Sequence, residues 1–246
     1  MSPRKSKFSV DLVIPVFNEE GVVERTFAEV CKVIDPLPHE FRVYYIDDGS
    51  QDGTVESLNA LAKKDKRITV LELSRNFGHQ AALTAGLDAA QGDFVISMDA
   101  DGQHPPELIP EMIALFEQGY DIVQAQRVED NALSFKQVTS SVFYKLINAI
   151  SGTQMAPGAA DFRGMSRQAV EAMQSMPEYH RFLRGMVSAM GYKSVILPYH
   201  ETKRVAGRTK YSLGKMVRLA MDAIFSFSLV PLYIGLSAGV LFFCLA

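Results

Sequence analysis

Two carboxylates and an amide, spaced two residues apart, follow an apolar run at residues 94–98. They are Asp99, Asp101 and Gln103 in the segment Asp-Ala-Asp-Gly-Gln. Their oxygen atoms are hard ligands that suit Mg²⁺ or Mn²⁺, and such a cation neutralises phosphate oxygens. Taken alone the pattern is weak, because Asp and Gly are also ordinary turn residues after a strand.

Two other apolar runs end in polar clusters of the same kind. Residues 8–16 lead into Pro15-Val-Phe-Asn-Glu-Glu20, and residues 41–46 lead into Asp47-Asp-Gly-Ser-Gln-Asp-Gly-Thr54. In open α/β sheets, ligands bind outside the carboxyl ends of the strands. The three clusters therefore predict one ligand site along that edge of a sheet.

The elements that must position these clusters alternate between strand and helix patterns. The sequence predicts strands at 8–16, 41–46, 68–73, 94–98 and 122–126, with helices at 54–64, 80–90 and from Pro105 to about residue 118. Asn18 is a candidate N-cap of the helix that carries Val23 and Phe27. This alternation indicates βαβ units and an α/β fold with a doubly wound, mainly parallel sheet.

The second half of the chain is less regular. Its patterns predict a helix at 134–151, a short strand near 161–165, helices around 167–173 and 180–190, and a strand at 193–199. His104 and His200 show no metal-ligand spacing and are expected on the polar surface. His79 is expected either to line the site or to belong to an ordinary strand-to-helix turn.

Length and charge narrow the function classes. The 246 residues, 48% of them hydrophobic, suffice for one α/β domain with an appendage. A formal charge of −3 argues against a nucleic-acid partner. A dehydrogenase is disfavoured because no Gly-x-Gly-x-x-Gly follows the first strand. A nucleotidyltransferase is disfavoured because residues 15–20 carry neither a Gly-rich loop nor a basic residue.

The C-terminal 24 residues, 223–246, contain no charge. We expect a catalytic domain at 1–211, an amphipathic helix in the membrane interface at 212–230, and the start of a transmembrane helix at 231–246. The 15 residues after Pro231 are fewer than the about 20 that span a bilayer, so the remainder of that helix is expected to be missing from this chain. Six basic residues between Lys203 and Asp222 predict that the catalytic domain is cytoplasmic.

Together the three clusters resemble those of family-two glycosyltransferases of GT-A fold. Three later motifs are similar to those of the polyprenyl-phosphate glycosyltransferases, a group that includes bactoprenol glucosyltransferases and dolichyl-phosphate mannose synthases. These motifs are Asp161-Phe-Arg-Gly-Met-Ser-Arg167, Arg181-Phe-Leu-Arg-Gly185 and Arg204-Val-Ala-Gly-Arg-Thr-Lys-Tyr211. The resemblance covers residues 8–235.

The resemblance implies a membrane-attached, inverting enzyme that moves a hexose from a nucleotide sugar to polyprenyl phosphate with Mg²⁺ or Mn²⁺. UDP-glucose is the first choice of donor, and GDP-mannose, UDP-N-acetylhexosamines and modified pentoses stay open. It also implies a homo-oligomer, with a tetramer among the candidates, at the inner plasma membrane. A non-enzymatic alternative is a nucleotide-sugar sensor. The presence of all three residues Asp99, Asp101 and Gln103 disfavours it.

Site roles follow from the same resemblance. The nucleotide-binding residues would be Pro15, Phe17, Glu19, Asp47 or Asp48, Asp99 and Arg127. The metal ligands would be Asp101 and Gln103 with Asp99, and the catalytic residues Asp161 and Asp101.

For the acceptor phosphate, Arg204 and Lys210 lie in a basic loop that is expected to reach the lipid headgroups. Two positions depart from the family pattern. Gly164 stands where a larger apolar residue is typical, and Arg208 stands where an acid is common.

Overall fold

The structure is a computed structural model that describes residues 7–128, 159–178, 181, 183–200 and 230–245. The described residues form two compact units. The first unit contains the seven strands and helices α1 to α5, and the second contains helices α6 and α7, with the bounds given below.

Seven strands form one sheet in the order β3-β2-β1-β4-β6-β5-β7. The neighbours β3, β2, β1 and β4 are parallel, as are β5 and β7, whereas β6 runs antiparallel to both β4 and β5. The mainly parallel sheet that the sequence predicts is therefore confirmed. The strands are β1 Ser9–Val16, β2 Glu40–Asp47, β3 Ile68–Glu72, β4 Phe94–Ser97, β5 Ile122–Arg127, β6 Ala159–Ser166 and β7 Ser194–Tyr199.

The described helices confirm the predicted alternation to within a few residues at their ends. A 3₁₀ turn at Pro106–Leu108 precedes α4, so the two adjacent prolines open this helical segment as predicted. The helices are α1 Val23–Ile34, α2 Thr54–Lys64, α3 His79–Ala89, α4 Ile109–Glu117, α5 Arg167–Ser175, α6 Leu183–Ala189 and α7 Val230–Leu245. The predicted helix at 134–151 lies outside the described residues.

The central strands β1 and β4 are buried on both faces of the sheet. All four residues of β4 are buried, as are the last seven of β1, because helices cover a parallel sheet from both sides. The one charge inside β1 is Asp11, which is fully buried. Its carboxylate accepts hydrogen bonds from Arg42 Nε at 2.8 Å and from the backbone N–H groups of Gln91 and Gly92, each at 2.7 Å. Buried charges persist where partners of this kind satisfy them.

Gly164 of β6 has a packing reason. A Cβ atom at this position would lie 2.1 Å from Cζ of Phe94, which is fully buried and stacks on Phe116 at 4.4 Å between ring centroids. The volume that a larger residue would fill at position 164 is therefore taken by the Phe94 ring.

Asn18 does not cap α1, so that prediction was wrong. The helix begins at Val23 after Val22, and no side chain caps it. Asn18 instead adopts a left-handed backbone with φ of 53°, and its side-chain oxygen accepts a hydrogen bond from the N–H of Gln51 at 2.8 Å. A short polar side chain is among the few that tolerate this backbone region.

Helix α7 has 16 residues, none of them charged. Its described side chains are exposed, and its large apolar ones include Leu236, Phe242 and Phe243. In the part of the chain that the structure describes, no helix combines the length and the apolar character needed to cross a membrane. Residues 212–229 of the expected interfacial helix lie outside the described residues.

Candidate active site

The predicted clusters meet at one edge of the sheet because β1, β2 and β4 are parallel neighbours. Antiparallel β6 brings a further acid to the same edge. Arg163 of β6 is in register with Ser97, the last residue of β4, so Asp161 lies beyond the end of β4. The Ser97 hydroxyl donates to the carbonyl oxygen of Asp161 at 2.7 Å, which fixes this alignment.

The loops after β1 and β2 are joined by reciprocal hydrogen bonds. The N–H of Asn18 donates to Oγ of Ser50 at 2.9 Å, and the N–H of Glu19 donates to Oγ1 of Thr54 at 2.8 Å. In the opposite direction, the N–H of Gln51 donates to the Asn18 side chain. The two loops therefore form one hydrogen-bonded wall of the site.

Asp52 anchors the same wall. Its carboxylate accepts from the N–H and hydroxyl of Thr54 and, at 3.4 Å, from the N–H of Glu20. Burial opposes ionisation of this group, but the hydrogen bonds from Thr54 and Glu20 outweigh burial and lower the pKa of Asp52. Asp52 is therefore a structural anion in this loop.

Asp47 has one satisfied and one unsatisfied carboxylate oxygen. Its side chain is buried, and Oδ2 accepts from the N–H groups of Gly49 at 3.1 Å and Ser50 at 2.9 Å. Oδ1 is buried and has no hydrogen-bond partner. Leaving such an atom unpaired is costly, so Oδ1 is suited to accept a hydrogen bond from a bound ligand.

Asp48 has a different environment, although it is adjacent in sequence. Its two oxygens accept from the N–H of Phe77 at 2.7 Å and the N–H of Gly78 at 2.9 Å. Asp48 thus clamps the loop that leads into α3. The sequence predicted that either Asp47 or Asp48 binds the nucleotide. Of these two residues, only Asp47 has a carboxylate oxygen without a hydrogen-bond partner.

Asp99 is held by a histidine. Nδ1 of His104 accepts from the N–H of Asp99 at 2.8 Å, while Nε2 lies 3.7 Å from Oδ2 of the same residue. The imidazole is buried, and it stacks on Phe162 with 5.0 Å between centroids. The expectation that His104 is a surface residue was wrong, because the turn after β4 folds the ring back under Asp99.

A second histidine lies between the two acids of the site. Nε2 of His79 is 3.5 Å from Oδ1 of Asp99 and 3.4 Å from Oδ2 of Asp161. Asp161 is 5% exposed and also accepts from Arg163 at 3.0 Å and from the Gln80 amide at 3.3 Å. The predicted residues Asp99 and Asp161 are therefore brought together, and His79 connects them.

Asp101 and Gln103 form a tight turn at the same edge. Oδ1 of Asp101 accepts from the N–H of Gln103 at 3.0 Å, and Gly102 has a φ of 78°. Within the described residues, no group of three or more His, Cys, Asp or Glu is arranged to hold a metal ion by itself. The oxygen donors of Asp99, Asp101 and Gln103 nevertheless fit Mg²⁺ or Mn²⁺, since such ions commonly bind one or two carboxylates and complete their shell with phosphate oxygens and water.

The remaining predicted residues fall into three groups. Pro15 is buried in β1, and Phe17 and Glu19 are half-buried in the loop that follows. Arg127 is exposed at the end of β5. Arg204 and Lys210 lie outside the described residues.

Sequence reasoning missed the roles of His104, Gln80 and Arg163. Gln80 directly follows His79 in the first turn of α3, and Arg163 follows Asp161 by two residues, on the same face of β6. The spacing of Asp161 and Arg163 could have been used as a prediction, because alternate residues of a strand share a face. No spacing rule singles out His104.

The α/β fold with its mainly parallel sheet is of the GT-A type. Glucosyl-3-phosphoglycerate synthase from Mycobacterium tuberculosis, solved with Mn²⁺, UDP and glucosyl-3-phosphoglycerate, has a similar fold. The TM-score is 0.61 at 17% identity, over 88% of this chain and 77% of that one. A mannosyltransferase from Pyrobaculum calidifontis, solved with GDP-Man and Mn²⁺, gives 0.57 at 19% identity, over 82% and 59%.

The chain belongs to the family described as glycosyl transferase family 2, whose model matches residues 11–173. It is 40% identical to the prophage bactoprenol glucosyl transferase homolog of Escherichia coli K12 over 232 residues, which cover 92% of this chain and 76% of that protein. It is 39% identical to the uncharacterized glycosyltransferase YkcC of Bacillus subtilis over 231 residues, which cover 94% and 72%.

Proposed function

We propose that this glycosyltransferase transfers glucose from UDP-glucose to a polyprenyl phosphate, of the undecaprenyl type, with inversion at the anomeric carbon. The observation that carries the proposal is the 40% identity to bactoprenol glucosyl transferases over 92% of the chain. The convergence of Asp47, Asp99 and Asp161 at one edge of the sheet supports it, since the donor and the acceptor must meet at such a place.

Asp47 is the proposed contact to the nucleobase. Its buried Oδ1 is a hydrogen-bond acceptor without a partner, and the ring N–H of uracil is a donor that fits it. Guanine also offers a ring N–H, so this oxygen alone does not choose between UDP and GDP donors. The two joined loops beside Asp47 keep the acceptor atom in place before the nucleotide arrives.

Asp99, Asp101 and Gln103 are the proposed ligands for Mg²⁺ or Mn²⁺ shared with the donor diphosphate. When bound, the cation stabilises the negative charge that develops on the leaving nucleotide. His104 holds the backbone of Asp99, so the residue is in place at the strand end before the donor binds. Arg127, at the end of β5, is a proposed further partner of the phosphates.

Asp161 is proposed to orient the acceptor. A phosphate monoester has its second pKa at about 6 and is mostly dianionic near pH 7, so it attacks without a strong general base. Asp161 is already engaged by Arg163 and Gln80, as expected of a group with a fixed direction. We infer that it aligns the acceptor side of the site, with Arg204 and Lys210 of the basic segment 203–210 binding the lipid phosphate.

Membrane attachment is part of the proposal. Residues 212–230 would lie in the interface and residues 231–246 would enter the bilayer, with the catalytic domain at 1–211 on the cytoplasmic face of the inner plasma membrane. The uncharged helix α7 and the six basic residues before it support this orientation. Flotation with vesicles that contain anionic lipid tests the attachment. Native mass spectrometry tests the proposed homo-oligomer, with a tetramer as one outcome.

The decisive experiment is a transfer assay with the purified full chain in detergent. Undecaprenyl phosphate, Mg²⁺ and radiolabelled UDP-glucose should yield labelled lipid in the organic phase, with a β-linked sugar by NMR. GDP-mannose and UDP-N-acetylglucosamine run in parallel decide the donor. No transfer from any donor, together with tight nucleotide binding, would favour the sensor alternative.

Variants in the basic segment 203–210 test the acceptor site. Arg204→Glu and Lys210→Glu should raise the acceptor KM at least about tenfold and change the UDP affinity less than about twofold, because a lipid phosphate needs cations at the headgroup plane. Lys203→Glu is the matched control, since it changes the same charge one residue away from Arg204. Equal effects of all three variants would mean that this segment contributes charge alone.

A further inference from the structure

His79 lies midway between two acids that belong to different strands. Its Nε2 atom is 3.5 Å from the Asp99 carboxylate, after β4, and 3.4 Å from the Asp161 carboxylate, on β6. Both distances are within ion-pair range but exceed the about 2.9 Å of a closed N–H···O hydrogen bond. A shift of about 0.5 Å closes the imidazole on either acid.

The backbone of His79 is fixed from two directions. The preceding loop is clamped by Asp48, which accepts from the N–H groups of Phe77 and Gly78. Further along α3, Gly86 brings the helix against the sheet, since a Cβ there would lie 2.3 Å from Val13. The side chain is 38% exposed, and its Nε2 atom lies beside both acids. The helix therefore presents the imidazole to Asp99 and Asp161 from a fixed Cα position.

We propose that His79 is a positioning residue that couples the donor side of the site to the acceptor side. The proposal rests on the proposed function, in which Asp99 serves the donor and Asp161 the acceptor. With the donor bound, the Asp99 oxygens would serve as ligands of the cation that neutralises the diphosphate, and they would no longer be available to the imidazole. His79 then closes on Asp161 and adds its N–H to the donors that Arg163 and Gln80 already supply, so the acceptor side is completed after the donor is bound.

The position of His79 between Asp99 and Asp161, called the His79 bridge below, is testable in the free protein without any substrate. The chain has five histidines, so a long-range ¹H–¹⁵N spectrum of the imidazoles is simple, and His79→Gln assigns the His79 signals. Asp99→Asn and Asp161→Asn should each shift the Nε2 signal of His79. Asp88→Asn, an exposed change in the same helix, is the matched control and should leave it unmoved. If the Nε2 signal shifted in only one of the variants Asp99→Asn and Asp161→Asn, His79 would not bridge the two acids, and the proposal would be overturned.

Asp161 is buried, so the Asn variant is checked first by its amide spectrum. If it does not fold, the wild-type protein answers the same question when UDP and Mg²⁺, or GDP and Mg²⁺, are added. The His79 signal should move when the nucleotide binds, with the binding itself registered by the amides of Gly49 and Ser50. Bound nucleotide with an unchanged His79 signal would contradict the proposal.

Steady-state kinetics test the consequence of the bridge. His79→Phe keeps a flat ring but removes the N–H donor, so kcat should fall at least about tenfold while the KM for UDP-glucose changes less than about twofold. His79→Gln keeps an N–H donor of similar reach and should recover kcat to within about threefold of wild type. Full activity of His79→Phe, or equal losses in both variants, would overturn the positioning role. An inactive wild-type protein would instead count against the proposed function, and the spectra of the free protein would still decide the bridge.

Discussion

The Nδ1 atom of His104 accepts a 2.8 Å hydrogen bond from the backbone N–H of Asp99, five residues earlier in the chain. A ring nitrogen that accepts carries no proton, so the neutral imidazole has its proton on Nε2, which faces the Asp99 carboxylate at 3.7 Å. Stacking on Phe162, 16° from parallel, fixes the plane of the ring. One buried side chain therefore holds the backbone of Asp99 and places a ring N–H near its carboxylate.

Variants of His104 should separate packing from hydrogen bonding. His104→Phe keeps the stack on Phe162 but leaves the N–H of Asp99 without its acceptor, which should cost about 1–3 kcal/mol of unfolding free energy. His104→Asn places an amide oxygen near the Nδ1 position and should retain more affinity for UDP and Mg²⁺ than the Phe variant. Urea denaturation and calorimetry measure the two effects. Equal UDP affinities in the Phe and Asn variants would show that the acceptor atom is unimportant.

Gly164 should tolerate no side chain while Phe94 stays in place. A Cβ in Gly164→Ala would lie 2.1 Å from Cζ of Phe94, so the ring must shift, and the unfolding free energy should fall by about 1–3 kcal/mol. Gly21→Ala is the control, because a Cβ there meets nothing within 4 Å, and it should change stability by less than about 0.5 kcal/mol. Phe94→Leu combined with Gly164→Ala should recover part of the loss. Equal stabilities for the two alanine variants would contradict this packing.

The strands and their terminal acids could be predicted because a parallel sheet is buried on both faces. Runs such as the one in β4 are therefore mostly apolar and buried throughout, and Asp99 and Asp101 stand out soon after it. The place of β6 between β4 and β5 could not be predicted from spacing, since it depends on sheet order. That order is what brings Asp161 to Asp99.

Contacts made by side chains in turns and loops also could not be predicted from the sequence. The ring of His104 reaches Asp99 only because of the backbone path of residues 99–104, and Asn18 bonds to the neighbouring loop instead of its own helix. An Asn side chain can bond to another loop as readily as it can cap a helix, so the residue type alone does not decide between the two roles.

Asp101 should be needed for cation-dependent donor binding. Asp101→Ala removes one carboxylate from the proposed ligand set, so the affinity for UDP in Mg²⁺ should fall at least about tenfold and transfer should be lost. The fold should persist, because Asp101 is half-buried in a turn outside the core. Calorimetry with and without EDTA measures the change. A variant that binds UDP as wild type does, with the same dependence on Mg²⁺, would remove Asp101 from the cation site.

Asp47 and Asp48 should respond in opposite ways to the same substitution. Asp47→Asn can keep its oxygen toward the N–H groups of Gly49 and Ser50, and it then places an amide N–H where the unpaired Oδ1 stood. That N–H faces the donor of a nucleobase, so the affinity for UDP or GDP should fall at least about tenfold with little change in stability.

Asp48→Asn instead puts an amide N–H opposite one of the N–H groups of Phe77 and Gly78, which both need an acceptor. The unfolding free energy should therefore fall by about 1–3 kcal/mol. Urea denaturation of both variants beside calorimetric titration with UDP and GDP separates the two roles. Wild-type nucleotide affinity in Asp47→Asn would show that the buried oxygen does not contact the base, and wild-type stability in Asp48→Asn would show that the clamp before α3 is dispensable.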